Sequence, residues 1–160
     1  MKKEWRIALL SFMLPIFTLL LTYVFNDVYP FGSKSLLIND LNVQHMEFLQ
    51  YFRRIFYEGK SIFYSFDIGM GKGIFGVLAY YIISPINFIL IIFPNVDIEI
   101  MIFFIVLLKI GLVGFGSCFY LNKKFKTNDS SILFFSLCYS LMTYNVVSYI
   151  QIIWLDAVAI

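Results

Sequence analysis

From Ile7 to Phe25 the chain runs 19 residues without a charged side chain, the length an α-helix needs to cross about 30 Å of hydrocarbon. A small soluble core has no room for such a segment beside further runs of the same kind. Hydrophobic residues make up 61% of the 160 and charged ones 14%, with a mean hydropathy of +0.84. Soluble domains are about half apolar and about a quarter charged, and a chain this short cannot bury the excess by itself. The bilayer is therefore the solvent. The 19 Phe and 11 Tyr exclude a disordered chain, and a net charge of +2 falls far short of a nucleic-acid surface. Cys118 and Cys138 lie inside apolar runs, where buried, inert thiols are expected rather than a disulfide framework.

The first run follows the basic start Met-Lys-Lys-Glu-Trp-Arg. It exceeds a signal h-region and no small-x-small site follows it, so residues 7–25 read as an uncleaved spanning helix. Lys2, Lys3 and Arg6 put its N-terminus in the cytoplasm. Residues 26–73 gather glycine and polar side chains as a loop outside the membrane. Within it, Leu41, His45, Phe48, Phe52, Ile55 and Phe56 recur at helical spacing, predicting an amphipathic helix over about 41–58. Asn39 or Asp40 would cap it and Gly59 would close it, and its apolar face would lie in the headgroup plane.

Two further apolar stretches, 74–93 and 98–121, are separated by Pro94-Asn95-Val96-Asp97. If both cross, eight of the Lys and Arg side chains outside the spans fall on the outer face and three inside. If 74–93, broken at Ser84-Pro85, is re-entrant or juxtamembrane, six fall inside and five outside, which the positive-inside rule favours. Residues 122–131 then form a cytoplasmic loop, 132–149 return as a span, and 150–160 begin another outer segment. The final apolar run has no cap or polar tail, as in the opening portion of a longer chain. The expected fold is an all-α polytopic membrane protein.

Asp40 opens the amphipathic helix near the outer boundary. Its carboxylate suits an N-cap, or a general base beside a site for an anionic lipid head group. Arg53 and Arg54 suit anionic lipids, at about 1 kcal/mol per basic residue, or one specific phosphate, which the planar guanidinium fits well. Lys109 lies about 17 Å from either end of its span at the helical rise. An intramembrane lysine costs about 2.5 kcal/mol or more, so it requires an anion: a carboxylate or a bound phosphate. Asp156 reads as a helix-end polar group or as a second acidic group facing the same cavity. His45 has no Cys or His partner at ligand spacing, so an interfacial ring is expected and no metal site. Gly71-Lys72-Gly73-Ile74-Phe75-Gly76 matches a dinucleotide fingerprint only in letters, lacking its strand, helix and acid; a tight turn is expected. Gly111, Gly114 and Gly116 form a small-residue face suited to close helix packing.

Six short motifs occur in order: Tyr29-Pro30-Phe31-Gly32; Leu36-Leu37-Ile38-Asn39-Asp40 running into Gln44 and Phe52-Arg53; Phe63-Tyr64-Ser65-Phe66 with the glycine turn; Ala79-Tyr80-Tyr81 and Ser84-Pro85-Ile86-Asn87; Leu108-Lys109-Ile110-Gly111; and Trp154-Leu155-Asp156. Together they resemble the N-terminal part of the YfhO-type bacterial membrane proteins. The resemblance implies a GT-C-like module of a multi-pass plasma-membrane glycosyltransferase with juxtamembrane helices in its first outer loop. It implies a sugar donor linked to undecaprenyl phosphate, a cell-envelope polymer such as teichoic acid as acceptor, and Asp40 as catalytic base. Arg53, Arg54 or Lys109 would stabilise the departing phosphate. The resemblance names no cofactor beyond the lipid-linked donor and leaves a divalent metal open. A non-catalytic scaffold, or a helper that moves lipid-linked sugars, would use the same membrane elements.

Overall fold

The computed structural model describes residues 2–127 and 129–159, without the side chains of Lys2 and Lys3. The share of those two lysines in the charge count, and the chain's end at Ile160, lie outside the described residues. Helix α1 spans Lys2–Phe25 and α2 covers Leu41–Glu58, opening with a π turn over Leu41–His45. A two-stranded antiparallel hairpin follows, β1 Tyr64–Ser65 against β2 Lys72–Gly73. Helix α3 spans Phe75–Val77 and continues as a π turn to Ile82, and α4 covers Pro85–Ile92. Then come α5 Ile98–Phe125, α6 Ser130–Ser140, α7 Thr143–Val147 with a 3-10 turn over Ser148–Gln151, and α8 Trp154–Ala159. The chain is an all-α membrane protein in class. Two helices, Glu4–Phe25 within α1 and α5, are long and apolar enough to cross a bilayer, or up to four segments if each bent pair below counts as one span.

Local chemistry explains the ends of α5. The Asp97 carboxylate accepts from the Glu99 amide at 2.7 Å, capping donors that have no partner in the first turn. Lys123 and Lys124 lie in the last turn, where the helix dipole favours cations, and Lys126 adopts φ +51° to stop it. The hydroxyls of Thr18 and Thr22 in α1 bond back to the carbonyls of Leu14 and Thr18 at 2.9 Å, which satisfies them without water. Gly59, at φ +66°, closes α2.

Helices α1 and α5 approach through glycine. A Cβ at Gly114 would stand 2.1 Å from the Ser11 carbonyl oxygen, and one at Gly111 would stand 2.6 Å from Ile16 Cδ1. Gly116 does the same for α8, where a Cβ would lie 2.1 Å from the Ala159 carbonyl oxygen. This is the close packing expected of a small-residue face. On α6 the buried side chains are Ile132, Ser136 and Ser140; Cys138 falls between them and is exposed, unlike buried Cys118.

Two bent pairs interrupt the long helices. The segments Phe75–Ile82 and Pro85–Ile92 meet at 107°, and Ser130–Ser140 and Thr143–Gln151 at 43°. Each break is sealed by a fully buried asparagine. Asn87 Nδ2 donates to the Ile82 carbonyl at 3.1 Å, and Asn145 Nδ2 donates to the Tyr139 carbonyl at 2.7 Å. A carbonyl freed by a helix break away from water needs such a donor.

The apolar face of α2 is covered by protein along its first three turns. Leu41, Phe48, Leu49 and Phe52 share one core with Ile82, Leu90 and the Ile98–Val106 half of α5. This corrects the expectation that the face rests among lipid head groups: α3, α4 and α5 supply enough apolar surface to bury it. Only Phe56, near the end of α2, remains half exposed on that face.

Candidate functional site

The start of α2 is held by the far end of the chain. Asn39 takes the left-handed conformation at φ +47°, while Asp40 is already helical at φ −61° and its side chain makes no cap bond. The N-cap expectation for Asp40 is thereby corrected: a residue already wound into the helix turns its carboxylate outward. There Asp40 Oδ2 accepts a hydrogen bond from Gln151 Nε2. The other end of that amide, Gln151 Oε1, stands 3.1 Å from His45 Nε2.

His45 is buried, 1% exposed, and meets the Tyr81 ring edge-on at 5.3 Å. This corrects the interfacial placement, because the turn carrying Tyr81 covers the ring. Burial holds the imidazole below its ordinary pKa; the Gln151 bond and the Asp40 charge oppose that effect, and the Lys109 charge adds to it. Tyr81 OH in turn accepts from Gln44 Nε2 at 3.0 Å.

Beside this chain of contacts sits an ion pair. Lys109 Nζ donates to Asp156 Oδ2 at 2.7 Å and to the Ile152 carbonyl at 3.0 Å. The lysine side chain is 1% exposed and that of Asp156 is 33% exposed. Asp156 Oδ1 also accepts from Ser84 Oγ at 3.1 Å, at the 107° break. The carboxylate that an intramembrane lysine requires is thus present, 47 positions away. Residues 151–156 thus connect the start of α2, the Ser84 break before α4, and α5.

Arg53 and Arg54 lie elsewhere. They stand about 20 Å along α2 from Asp40 at the helical rise. Arg53 Nη1 donates to the Val96 carbonyl at 2.7 Å. The Arg54 guanidinium stands over the Tyr51 ring and 4.0 Å from Asp67 Oδ2, which Lys60 approaches at 3.1 Å. Both arginines line a cleft of about 350 Å³ with Gln50, Tyr57 and Asn95. The structure thus brings Asp40, Lys109 and Asp156 around residues 151–156 and leaves the two arginines at the opposite end of α2. Two larger clefts, about 590 and 660 Å³, flank the Phe125 end of α5, and none of the candidate residues lines either.

A family model described as "Bacterial membrane protein YfhO" matches residues 11–160. The chain belongs to the YfhO family. No curated protein and no solved structure matches it. The matched stretch of this YfhO-family chain contains every candidate residue from Asp40 to Asp156.

Residues 64–73, expected only as loop and turn, form the small hairpin, with Gly69, Met70 and Gly71 all at positive φ. Among the described residues no three His, Cys, Asp or Glu side chains cluster closely enough to hold a metal ion. Sequence reasoning named no role for Gln151, although an amide within the run Val146–Ile153 signals a buried partner. The Ser84 hydroxyl was equally silent, since it belonged to a helix-breaking Ser-Pro pair.

Proposed function

We propose that this chain is the N-terminal module of a membrane glycosyltransferase, and that Asp40 is its catalytic base. The observation that carries the reading is Asp40 itself, an exposed carboxylate with one oxygen held by Gln151. The second oxygen is left to take a proton. Asp40 removes the proton of an acceptor hydroxyl, the hydroxyl oxygen bonds to the anomeric carbon of a lipid-phosphate sugar, and the carbon–oxygen bond to phosphate breaks. The phosphate leaves with the electron pair and needs no proton, so this step asks one positioned base of the chain.

Undecaprenyl phosphate is the proposed carrier and a cell-envelope polymer such as teichoic acid the proposed acceptor. Arg53 and Arg54, about 20 Å from Asp40 along α2, are too far to meet the departing phosphate expected of them; they are the proposed contacts for a phosphate elsewhere on these substrates, at their open cleft. Lys109 acts through its pair with Asp156, which holds residues 151–156 against the helices. The proposed orientation sets Asp40, Arg53 and Arg54 on the outer face of a multi-pass protein with a cytoplasmic N-terminus. In its support, Ile7 of α1 packs with Cys118 and Ile132, so Arg6 shares an end with Lys123, Lys124 and Lys126. That gathering of cations suits the cytoplasmic side. The sharp 107° bend suits a re-entrant 74–93.

The test is sugar transfer by membranes carrying the full-length protein. Asp40→Asn, at equal expression, is expected to lower the rate on the order of 10²- to 10⁴-fold, the usual contribution of a positioned base. Unchanged transfer would remove the base assignment and favour a non-catalytic scaffold or transport role.

A further inference from the structure

We propose that His45 is a positioning residue for Asp40, anchoring the far end of the Gln151 amide that holds its carboxylate; the role rests on the reading of Asp40 as base. A glutamine side chain is nearly symmetric in shape and opposite in function at its two ends: one donates twice and the other only accepts. Gln151 is placed between two partners that demand different ends. Asp40 Oδ2 is a carboxylate oxygen and can only accept, so it requires the NH₂ end. His45 Nε2, at 3.1 Å, must then meet Oε1 as a donor, which selects the tautomer carrying hydrogen on Nε2.

The reverse arrangement fails at both contacts. It would press Oε1 against the Asp40 carboxylate and turn the NH₂ group toward an Nε2–H. With the ring 1% exposed and edge-on to Tyr81, the imidazole has little freedom to rotate away. A buried donor left without an acceptor costs about 1–3 kcal/mol, so the ring, the amide and the carboxylate lock one another into a single orientation. Neighbouring dipoles aligned in this way strengthen each bond in the chain.

The consequence for chemistry falls on Asp40. With Oδ2 engaged by a fixed amide, the carboxylate presents Oδ1 in one direction to the acceptor hydroxyl. Without the His45 donor, the Gln151 amide keeps its NH₂ end toward Asp40 but loses the anchor at Oε1, so it can swing and Asp40 loses its fixed orientation.

Three variants of the full-length protein separate this role from packing. His45→Phe keeps the ring and its Tyr81 contact while removing the donor. It is expected to lower kcat about tenfold, within the range that small misplacements cost, with KM for the donor lipid unchanged. His45→Gln, which returns an amide N–H to the place of Nε2, is expected to restore kcat. Gln151→Leu is expected to reproduce His45→Phe. If His45→Phe keeps wild-type kcat while Asp40→Asn abolishes transfer, the positioning role is overturned and the base reading stands. If Asp40→Asn itself transfers sugar normally, both fall. A loss in His45→Phe that His45→Gln does not restore also overturns the proposal, since packing alone would then explain it.

Discussion

At its N-terminal end α2 is joined to residues over a hundred positions away, with Asp40 and His45 both meeting Gln151. At its C-terminal end the partners come earlier in the chain: Arg54 and Lys60 meet Asp67 in the next hairpin, and Arg53 reaches Val96, 43 positions on. One helix thus carries a carboxylate whose setting exists only after residues 148–159 have docked, and a cationic cleft that assembles from the adjoining hairpin and turn. The comparison teaches that the two halves of the proposed site have different structural dependencies. Damage to the far segment is expected to disable the base while sparing the arginines.

The largest effect that would break this division is loss of the ion pair. Asp156→Ala leaves Lys109 buried with only the Ile152 carbonyl, a change that costs about 3–5 kcal/mol in buried pairs. Thermal unfolding in detergent is expected to show that loss, and a cysteine at position 151 is expected to become reactive while one at position 95 does not change. Equal reactivity changes at both would show that the two ends of α2 are not independent. Next in size is Gly114→Ala, whose added methyl meets the Ser11 carbonyl oxygen. A forced backbone shift of this kind costs about 1–3 kcal/mol, and the same melting assay reads it.

A smaller effect follows from pH. The folded state holds His45 below its ordinary pKa, chiefly through burial, while the charges of Asp40 and Lys109 act in opposite directions. As pH falls below about 6.5, the unfolded chain takes up a proton at this position that the folded chain resists. Stability therefore declines with falling pH until the lower folded value is passed, at a slope of at most about 1.4 kcal/mol per pH unit. His45→Gln is expected to remove that slope while leaving stability above pH 7 nearly unchanged; identical slopes in the two proteins would contradict the burial of this ring. The smallest effect belongs to Arg54→Ala. Its partner Asp67 is about a third exposed, so the unfolding free energy is expected to fall by less than about 1 kcal/mol, although a phosphate-dependent rate would fall.

The ease of reading the two ends from sequence differs for the same reason. Helices α1, α2 and α5 were legible because apolar periodicity and run length are local signals, and the demand of Lys109 for an anion follows from desolvation alone. The identity of that anion was not legible. Asp156 belongs to another helix, and nothing local links it to position 109. The Asp40–Gln151 contact was hidden for the same reason, and the cap expected of Asp40 failed because Asn39 took the left-handed turn one residue earlier. His45 reads as interfacial because it recurs with the apolar positions of a helix expected to lie in the headgroup plane; its cover comes from Tyr81, beyond the hairpin. The hairpin was missed because two-residue strands have no measurable alternation.

The claim most open to direct test is that residues 148–159 close over the start of α2. Cysteines at positions 40 and 151, in a full-length protein whose Cys118 and Cys138 are replaced by alanine, can be joined by a short bismaleimide and read as altered mobility after proteolysis between them. Efficient cross-linking of 40 with 151, and none of 54 with 151, is the expected result. Failure of the 40–151 pair to cross-link, while a control pair at positions 35 and 99, whose exposed side chains meet, joins readily, would contradict the docking of that segment and with it the geometry assigned to Asp40.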